Sequence, residues 1–303
     1  MPKKKPRVFQ PPASTPEAFA AFLLSREAQG VSPGTLRFYR DKLNPFVAFC
    51  ERTGAPTIDC VTAAVVRTFL VELQRAERAP WTLHGHARAI KTFLRFCAVD
   101  ELIERAPVFV MPKLPKQIMP AFSGAEVRKL LAACTMLRDR CIVLVLLDTG
   151  LRASELLALN VCDLEAATGL VNVWGGKGGK DRAVYLSART RRELVRMWRE
   201  AGEPSPHMPM WLNQRSELRL TDSGLRQLLE RLGRNAGVEH CHPHTFRRTF
   251  ALTCLREGMN IYVLARLMGH ADITVLRQYL DLVQSDLEAA HRAASPVERL
   301  LSK

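Results

Sequence analysis

Pro243-His-Thr-Phe-Arg247, then Leu267-Met-Gly-His270, then Tyr279 nine residues on, form a stretch that reads together with Thr149-Gly-Leu-Arg-Ala-Ser-Glu155 far upstream. His244 and Arg247 lie three apart on an expected helix, so both project from one face. Arg152, Arg247, His244, His270 and Tyr279 together suit displacement at a phosphodiester. A planar guanidinium fork holds two non-bridging oxygens. An imidazole donates to phosphate or moves protons near neutral pH. A phenol oxygen is a nucleophile that gives a covalent phosphotyrosyl intermediate. Each signal is weak alone: His-x-x-Arg is usually a surface pair, Leu-Met-Gly-His an ordinary helix stop, and a helical Tyr a core residue. Their order carries the weight.

The surrounding sequence gives these residues a frame. Ser123-Gly-Ala-Glu126 has the form of a capping box and opens a helix to about Cys134. A second apolar helix runs from near Arg138 to Asp148, Gly150 breaks it, and Arg152 begins the next short one. Leu170–Gly175 and Arg182–Ser187 alternate with period two around a Gly-Gly-Lys-Gly-Gly-Lys-Asp turn, the pattern of a β-hairpin. Thr190-Arg-Arg-Glu193 reads as another capping box. Asn260 and Asp272 read as N-caps, and Gly258 and Gly269 as helix stops.

Residues 15–100 read as four helices. Thr15-Pro16-Glu17 starts the first and Gly30 ends it; Ser32-Pro33 starts the second and Gly54 ends it; Thr62 caps the third; the fourth follows Pro80 to about Cys97. On the fourth, Leu83, Ala87, Ile90, Leu94 and Cys97 make an apolar stripe. His84, Arg88, Lys91 and Arg95 repeat at the same spacing on a neighbouring face. No acid falls between Trp81 and Val99, whereas a merely solvated face would mix in acids, so this face is expected to contact DNA phosphates. Pro107, Pro112, Pro115 and Pro120 mark residues 105–121 as an extended interdomain linker.

The 303 residues carry a formal charge of +14, and a hydrophobic fraction of 47% is globular rather than disordered. The excess of basic residues falls on both halves of the chain and favours a polyanionic partner. The eight cysteines include no Cys-x-x-Cys pair, and most have apolar neighbours, so they read as small buried hydrophobes in a reducing compartment. No apolar run has the length of a membrane span, and the basic start Met-Pro-Lys-Lys-Lys-Pro-Arg lacks an apolar core, which points to a cytoplasmic, nucleoid-associated protein with no membrane partner. Glu239-His-Cys-His-Pro-His244 is dense in metal ligands, but no Cys-x-x-Cys or His-Glu-x-x-His accompanies it, and no metal is expected.

Thr-Gly-Leu-Arg-x-Ser-Glu-Leu, a Gly-Lys-Gly hairpin, Pro-His-x-x-Arg, Leu-x-Gly-His and a Tyr nine residues later together resemble the tyrosine recombinase (phage integrase) family, of Xer-like or mobile-element type, over roughly residues 120–285. The resemblance implies a mainly α fold with a small β-hairpin or sheet in two domains. These are an N-terminal helical, SAM-like core-binding domain (14–104) and a C-terminal catalytic domain (122–303), joined by the linker and preceded by a basic disordered tail (1–13). It implies that Arg152 and Arg247 clamp the scissile phosphate, that Tyr279 attacks phosphorus, and that a hairpin-turn lysine protonates the leaving 5′-hydroxyl. Lys177, between glycines, is favoured for that role and Lys180 is its rival. His244 accepts or orients a proton near the tyrosine, His270 donates to a non-bridging oxygen, and Glu155 supports the site. Lys180 and Arg182 are otherwise expected on the phosphate backbone.

The implied reaction needs neither metal nor ATP, because the phosphotyrosyl bond conserves the energy for rejoining. The implied partners are double-stranded DNA and further copies of the chain, four on two DNA sites, with the 283–303 tail offered to a neighbour. The resemblance leaves open a second recombinase or a directionality factor as a further partner. A type IB topoisomerase, a telomere resolvase and a non-catalytic DNA-binding regulator are the alternatives. Arg248 stands where the family often has His, and Leu-Asp-Leu follows Tyr279 where many relatives have Thr-His.

Overall fold

A computed structural model of the chain describes residues 13–115, 120–175, 181–214 and 216–269, together with 295 and 297. The chain divides into two compact units, Met1–Gln117 and Ile118–Lys303.

The described residues of the first unit form four α-helices, α1 (Thr15–Ala28), α2 (Pro33–Arg52), α3 (Ala63–Arg75) and α4 (Pro80–Val99), with a short 3-10 turn at Ile58–Cys60 between α2 and α3. Their starts follow from side chains that satisfy otherwise orphaned backbone N–H groups. Ser14 and Glu17 form a reciprocal capping box on α1, so the cap lies one residue before Thr15. Ser32 and Thr62 accept from the backbone of Thr35 and Val65 at the starts of α2 and α3. Gly30 and Gly54 follow α1 and α2 with φ of 66° and 81°, a region open to glycine and strained for most other residues.

The core of this unit is aromatic. The Phe22 ring lies edge-on to Phe93 at 5.6 Å and Phe96 at 5.4 Å, and Phe69 is edge-on to Phe46 at 5.2 Å. Ala87, Ile90, Leu94 and Cys97 of α4 are buried in it, and Leu83 is buried as well. Of the basic stripe, Arg88, Lys91 and Arg95 are exposed while His84 is half-buried. The Arg88 guanidinium lies 4.8 Å from the Phe38 ring centroid, a cation–π contact that lays its stem along α2. The proline-rich stretch begins as part of this unit: Phe109 is buried in the core, and Ala106 and Met111 pack against it.

The second unit runs α5 (Gly124–Ala133), α6 (Leu137–Thr149), α7 (Ala153–Ala158), β1 (Leu164–Glu165), β2 (Leu170–Val173), β3 (Arg182–Tyr185), α8 (Ala188–Glu200), α9 (Asp222–Ala236), α10 (Pro243–Arg256) and α11 (Ile261–Met268). α6 is apolar almost all round, with Cys141 to Leu146 all buried, which fits its place between α8 and α10. Ser123 and Glu126 form the expected capping box on α5, and Asn260 caps α11.

The strands make an antiparallel sheet in the order β1-β2-β3, with Val171 opposite Val184 and Val173 opposite Arg182. At two residues, β1 is too short to show a period-two pattern. The capping box expected at Thr190 does not form. Ser187 is the cap of α8, accepting from Thr190 N–H, and its own N–H and hydroxyl both donate to Asp148. Thr190 is buried inside the first turn, and Glu193 reaches Arg140 of α6 instead.

All eight cysteines are free thiols. Cys50, Cys97, Cys141 and Cys241 are buried, and burial first of all pushes each thiol up to about 12, leaving them inert. Cys60 and Cys162 are exposed, so the expectation of buried small hydrophobes fails for those two. Among the described residues no helix is long and apolar enough to cross a membrane.

Candidate active site

The site is built where three helix ends and a strand meet. α6 stops at Gly150, which adopts φ +59°, and a Cβ there would run into the Phe250 ring. Two residues later Arg152 occupies the N-cap of α7. Arg247 sits on α10, 6% exposed. α11 ends at Gly269 with φ +65°, where a Cβ would meet Arg182 Nη1 at 2.9 Å. Both glycines are therefore fixed by backbone conformation and by a close neighbour together.

Three arginines converge on three consecutive carbonyls at the end of α11. Arg182 Nε donates to Leu267 O at 2.8 Å, Arg247 Nη2 to Met268 O at 2.6 Å and Arg152 Nη2 to Gly269 O at 3.3 Å. Arg247 Nη1 also donates to Gly150 O at 2.6 Å. The last carbonyls of a helix lack intrahelical partners and carry its negative dipole end, so cations are favoured there. Arg247 ties the ends of α6 and α11 together in this way.

Glu155, 6% exposed by its side chain, holds two of these arginines. Its Oε1 accepts from Arg152 Nη1 at 2.7 Å and Arg182 Nη1 at 2.9 Å. Its Oε2 accepts from Arg152 N–H at 2.8 Å and Arg182 Nη2 at 2.8 Å. Burial pushes this carboxyl up, but the hydrogen bonds from Arg182 and Arg152 and the charge of Arg182 outweigh it, and the net value is about 2. Glu155 is ionised throughout the working range.

His244 occupies the first turn of α10 at the wall of a cleft of about 820 Å³, whose lining includes Ala153, Arg226, Gly233, Val238 and Cys241. Its pKa is held below the ordinary 6.5, first by partial burial and then by the positive charges of Arg247, Arg226 and Arg152. The imidazole is thus neutral and able to accept a proton at neutral pH. Thr245 and Thr249 fix the helix: the Thr245 hydroxyl donates to His240 O at 2.6 Å, and Thr249 Oγ1 accepts from Phe122 N–H at 2.9 Å. Arg248 is buried like Arg247, at 6% exposure.

Of the residues expected from sequence, Arg152, Glu155, Arg182, His244 and Arg247 come together. Lys177, Lys180, His270, Asp272, Tyr279 and the 283–303 tail other than Ser295 and Val297 lie outside the described residues, as do residues 1–12. His84, Arg88, Lys91 and Arg95 belong to the first unit. Arg182 requires a correction. Its side chain is 9% exposed, its Nη1 and Nη2 both donate to the Glu155 carboxylate and its Nε donates to Leu267 O, so its charge is spent on an internal ion pair rather than offered to the phosphate backbone. A signal for this exists in the sequence: Arg182 shares the inward face of β3 with buried Val184, and a buried arginine needs an acid. Arg226, beside His244, carries no such signal. Among the described residues no group of three or more His, Cys, Asp or Glu is gathered as a metal site.

Two helical units, the second with a small sheet and arginines gathered around one buried carboxylate, define a two-domain protein of integrase type. The Phage integrase family model matches residues 121–285, and the Phage integrase, N-terminal SAM-like domain model matches residues 17–101. The chain is 30% identical to Tyrosine recombinase XerA of Pyrococcus furiosus over 94% of its own length and 95% of that protein's. It is 28% identical to Tyrosine recombinase XerD of Oceanobacillus iheyensis over 92% of itself and 97% of that protein. Among solved structures, a Tn1549 transposon integrase in complex with a circular intermediate DNA has the same fold, with a TM-score of 0.75 at 18% identity, covering 95% of this chain and 99% of that one. XerH bound to difH substrate shares it with a TM-score of 0.68 at 21% identity, covering 94% of this chain and 85% of that one. The chain belongs to the phage integrase family.

Proposed function

We propose that this chain is a site-specific DNA recombinase that cuts and rejoins strands through a 3′-phosphotyrosyl intermediate. The observation that carries the reading is the convergence of Arg152 and Arg247 on one turn, with Glu155 beneath and His244 alongside, in a chain of this family. In this reading Arg152 and Arg247 hold the non-bridging oxygens of the scissile phosphate and stabilise the charge that builds as phosphorus becomes five-coordinate. The Tyr279 oxygen bonds to phosphorus while the bond to the 5′-oxygen breaks. The phenolic proton passes toward His244, kept neutral by burial and the arginines around it, and Lys177 gives a proton to the departing 5′-oxygen. His270 donates to a non-bridging oxygen. Attack by a 5′-hydroxyl reverses each step and rejoins the strand.

The basic face of α4, with Arg88, Lys91 and Arg95, supplies sequence-independent phosphate contacts. Four copies on two DNA sites, each offering its 283–303 tail to a neighbour in a closed ring, exchange strands in pairs through a Holliday junction. The work is done on chromosomal or mobile-element DNA in the cytoplasm. A plasmid carrying two copies of a duplex selected by binding to the chain tests the proposal. Deletion or inversion between the copies, in buffer free of metal and ATP, supports it. Relaxation of supercoils with no rearranged product, which a topoisomerase would give, contradicts it.

A further inference from the structure

Arg182 and Arg152 divide a single carboxylate. Each oxygen of Glu155 accepts once from each residue, at 2.7 to 2.9 Å. Arg152 keeps 24% of its side chain exposed, whereas Arg182 keeps 9%. Arg152 is therefore the more accessible of the two, and the Arg182 side chain is largely buried. A buried pair of one acid and one base is neutral and offers little to an incoming anion. A buried acid between two bases leaves a net positive charge, and here the exposed member of the trio is Arg152.

Such an arrangement is a costly way to gain stability, because each ion loses its hydration. It is an effective way to place charge. Arg182 also donates to Leu267 O at 2.8 Å and packs against Gly269, the residue that ends α11. Its backbone begins β3, opposite Val173. One side chain thus joins the carboxylate behind Arg152, the end of α11 and the base of the hairpin.

We infer that Arg182 is a positioning residue of the strand-transfer site, which takes up half of the Glu155 carboxylate so that Arg152 retains its positive charge for the scissile phosphate. This rests on the reading of Arg152 as a phosphate-binding residue. It gives Arg182 a role in catalysis without contact to DNA.

The test is a cycle of Arg182→Gln and Glu155→Gln, singly and together. Cleavage rate on the binding-selected duplex is measured beside binding affinity and thermal unfolding. Losing Arg182 while Glu155 is charged leaves Arg152 neutralised, and cleavage falls on the order of 10–100-fold, the usual cost of removing a group that orients a reactive one. Where Glu155 is already Gln, the same loss of Arg182 costs less than about a tenth of that, because no charge remains to be shared. An equal cost in both backgrounds would assign Arg182 a purely structural role and overturn the inference, as would an unchanged rate in Arg182→Gln.

If Arg182→Gln alone does not fold, Arg182→Lys in the two Glu155 backgrounds replaces it. Lysine keeps the charge, so its cost is small in both, and a large cost of Arg182→Lys in either contradicts the charge-sharing account. Arg152→Ala separates the two layers. If that variant still cleaves, the reading of Arg152 fails; if it is dead while Arg182→Gln is normal, only the inference about Arg182 fails.

Discussion

Arg247 and Gly150, 97 residues apart in sequence, are joined by a hydrogen bond of 2.6 Å from a buried guanidinium to the carbonyl at the end of α6. The same guanidinium reaches Met268 O at 2.6 Å, so the residue read as a phosphate clamp is also a tie between two helix ends. Arg247→Ala is therefore expected to do two things. It abolishes cleavage, and it lowers stability by roughly 3 kcal/mol, since each hydrogen bond to a charged group contributes about 1.5–3 kcal/mol before relaxation. Urea denaturation reads the second effect. A variant as stable as the wild type would show that the tie does not hold the unit together.

Gly269 is expected to tolerate no side chain. At φ +65° an alanine there costs about 1–2 kcal/mol for backbone conformation alone. Its Cβ also meets Arg182, against which Gly258 at φ +82° has nothing within 4 Å. Gly258→Ala should lose stability but keep cleavage, whereas Gly269→Ala should lose both. Equal cleavage rates in the two variants would mean that the Arg182 contact is incidental.

His244 is expected to titrate below 6.5, as burial and the three neighbouring arginines dictate. The sign follows from its lowered folded-state pKa. Above the unfolded value the group is neutral in both states and costs nothing. As pH falls below that value the unfolded chain takes the proton first, and stability is lost until the folded pKa is passed. The acid limb of the cleavage rate should likewise lie below pH 6.5, and Arg226→Gln should move it upward. Proton NMR of the His244 ring gives the midpoint directly. A midpoint at or above 6.5 would remove His244 as a ready acceptor.

The exposed charges on α4 should set part of the salt dependence of DNA binding. Replacing Arg88, Lys91 and Arg95 by Gln leaves the buried face of α4 intact. If all three lie on phosphates, the slope of log K against log salt shrinks by about 0.9 for each phosphate no longer neutralised. A binding titration at several salt concentrations measures it, and an unchanged slope would mean that this face points to solvent in the complex.

Much of this architecture is legible locally. Ser32, Thr62, Ser123 and Asn260 declare helix starts because a cap acts within three residues. The stripe Leu83, Ala87, Ile90, Leu94, Cys97 declares the buried face of α4 because burial follows the helical period. That Arg152, His244 and Arg247 meet is legible through the family resemblance their motifs carry. What sequence misses is decided at a distance. Thr190 loses its capping role because Ser187 is held by Asp148, 39 residues away. Arg182 turns from a DNA contact into a buried partner because Glu155, 27 residues away, lies under it. The use of the carbonyls of Leu267, Met268 and Gly269 leaves no mark in sequence, since any residue supplies a carbonyl.

Covalent trapping interrogates the nucleophile itself. A duplex selected by binding to the chain is nicked just beyond the cleavage position, so that the 5′-hydroxyl fragment diffuses away and rejoining fails. The expected product is a protein–DNA adduct that survives denaturation, forms without metal, carries the 3′-phosphate on Tyr279 and is absent in Tyr279→Phe although binding is retained. Tight binding with no adduct, across nicks placed at every position of the duplex, would refute strand transfer through Tyr279.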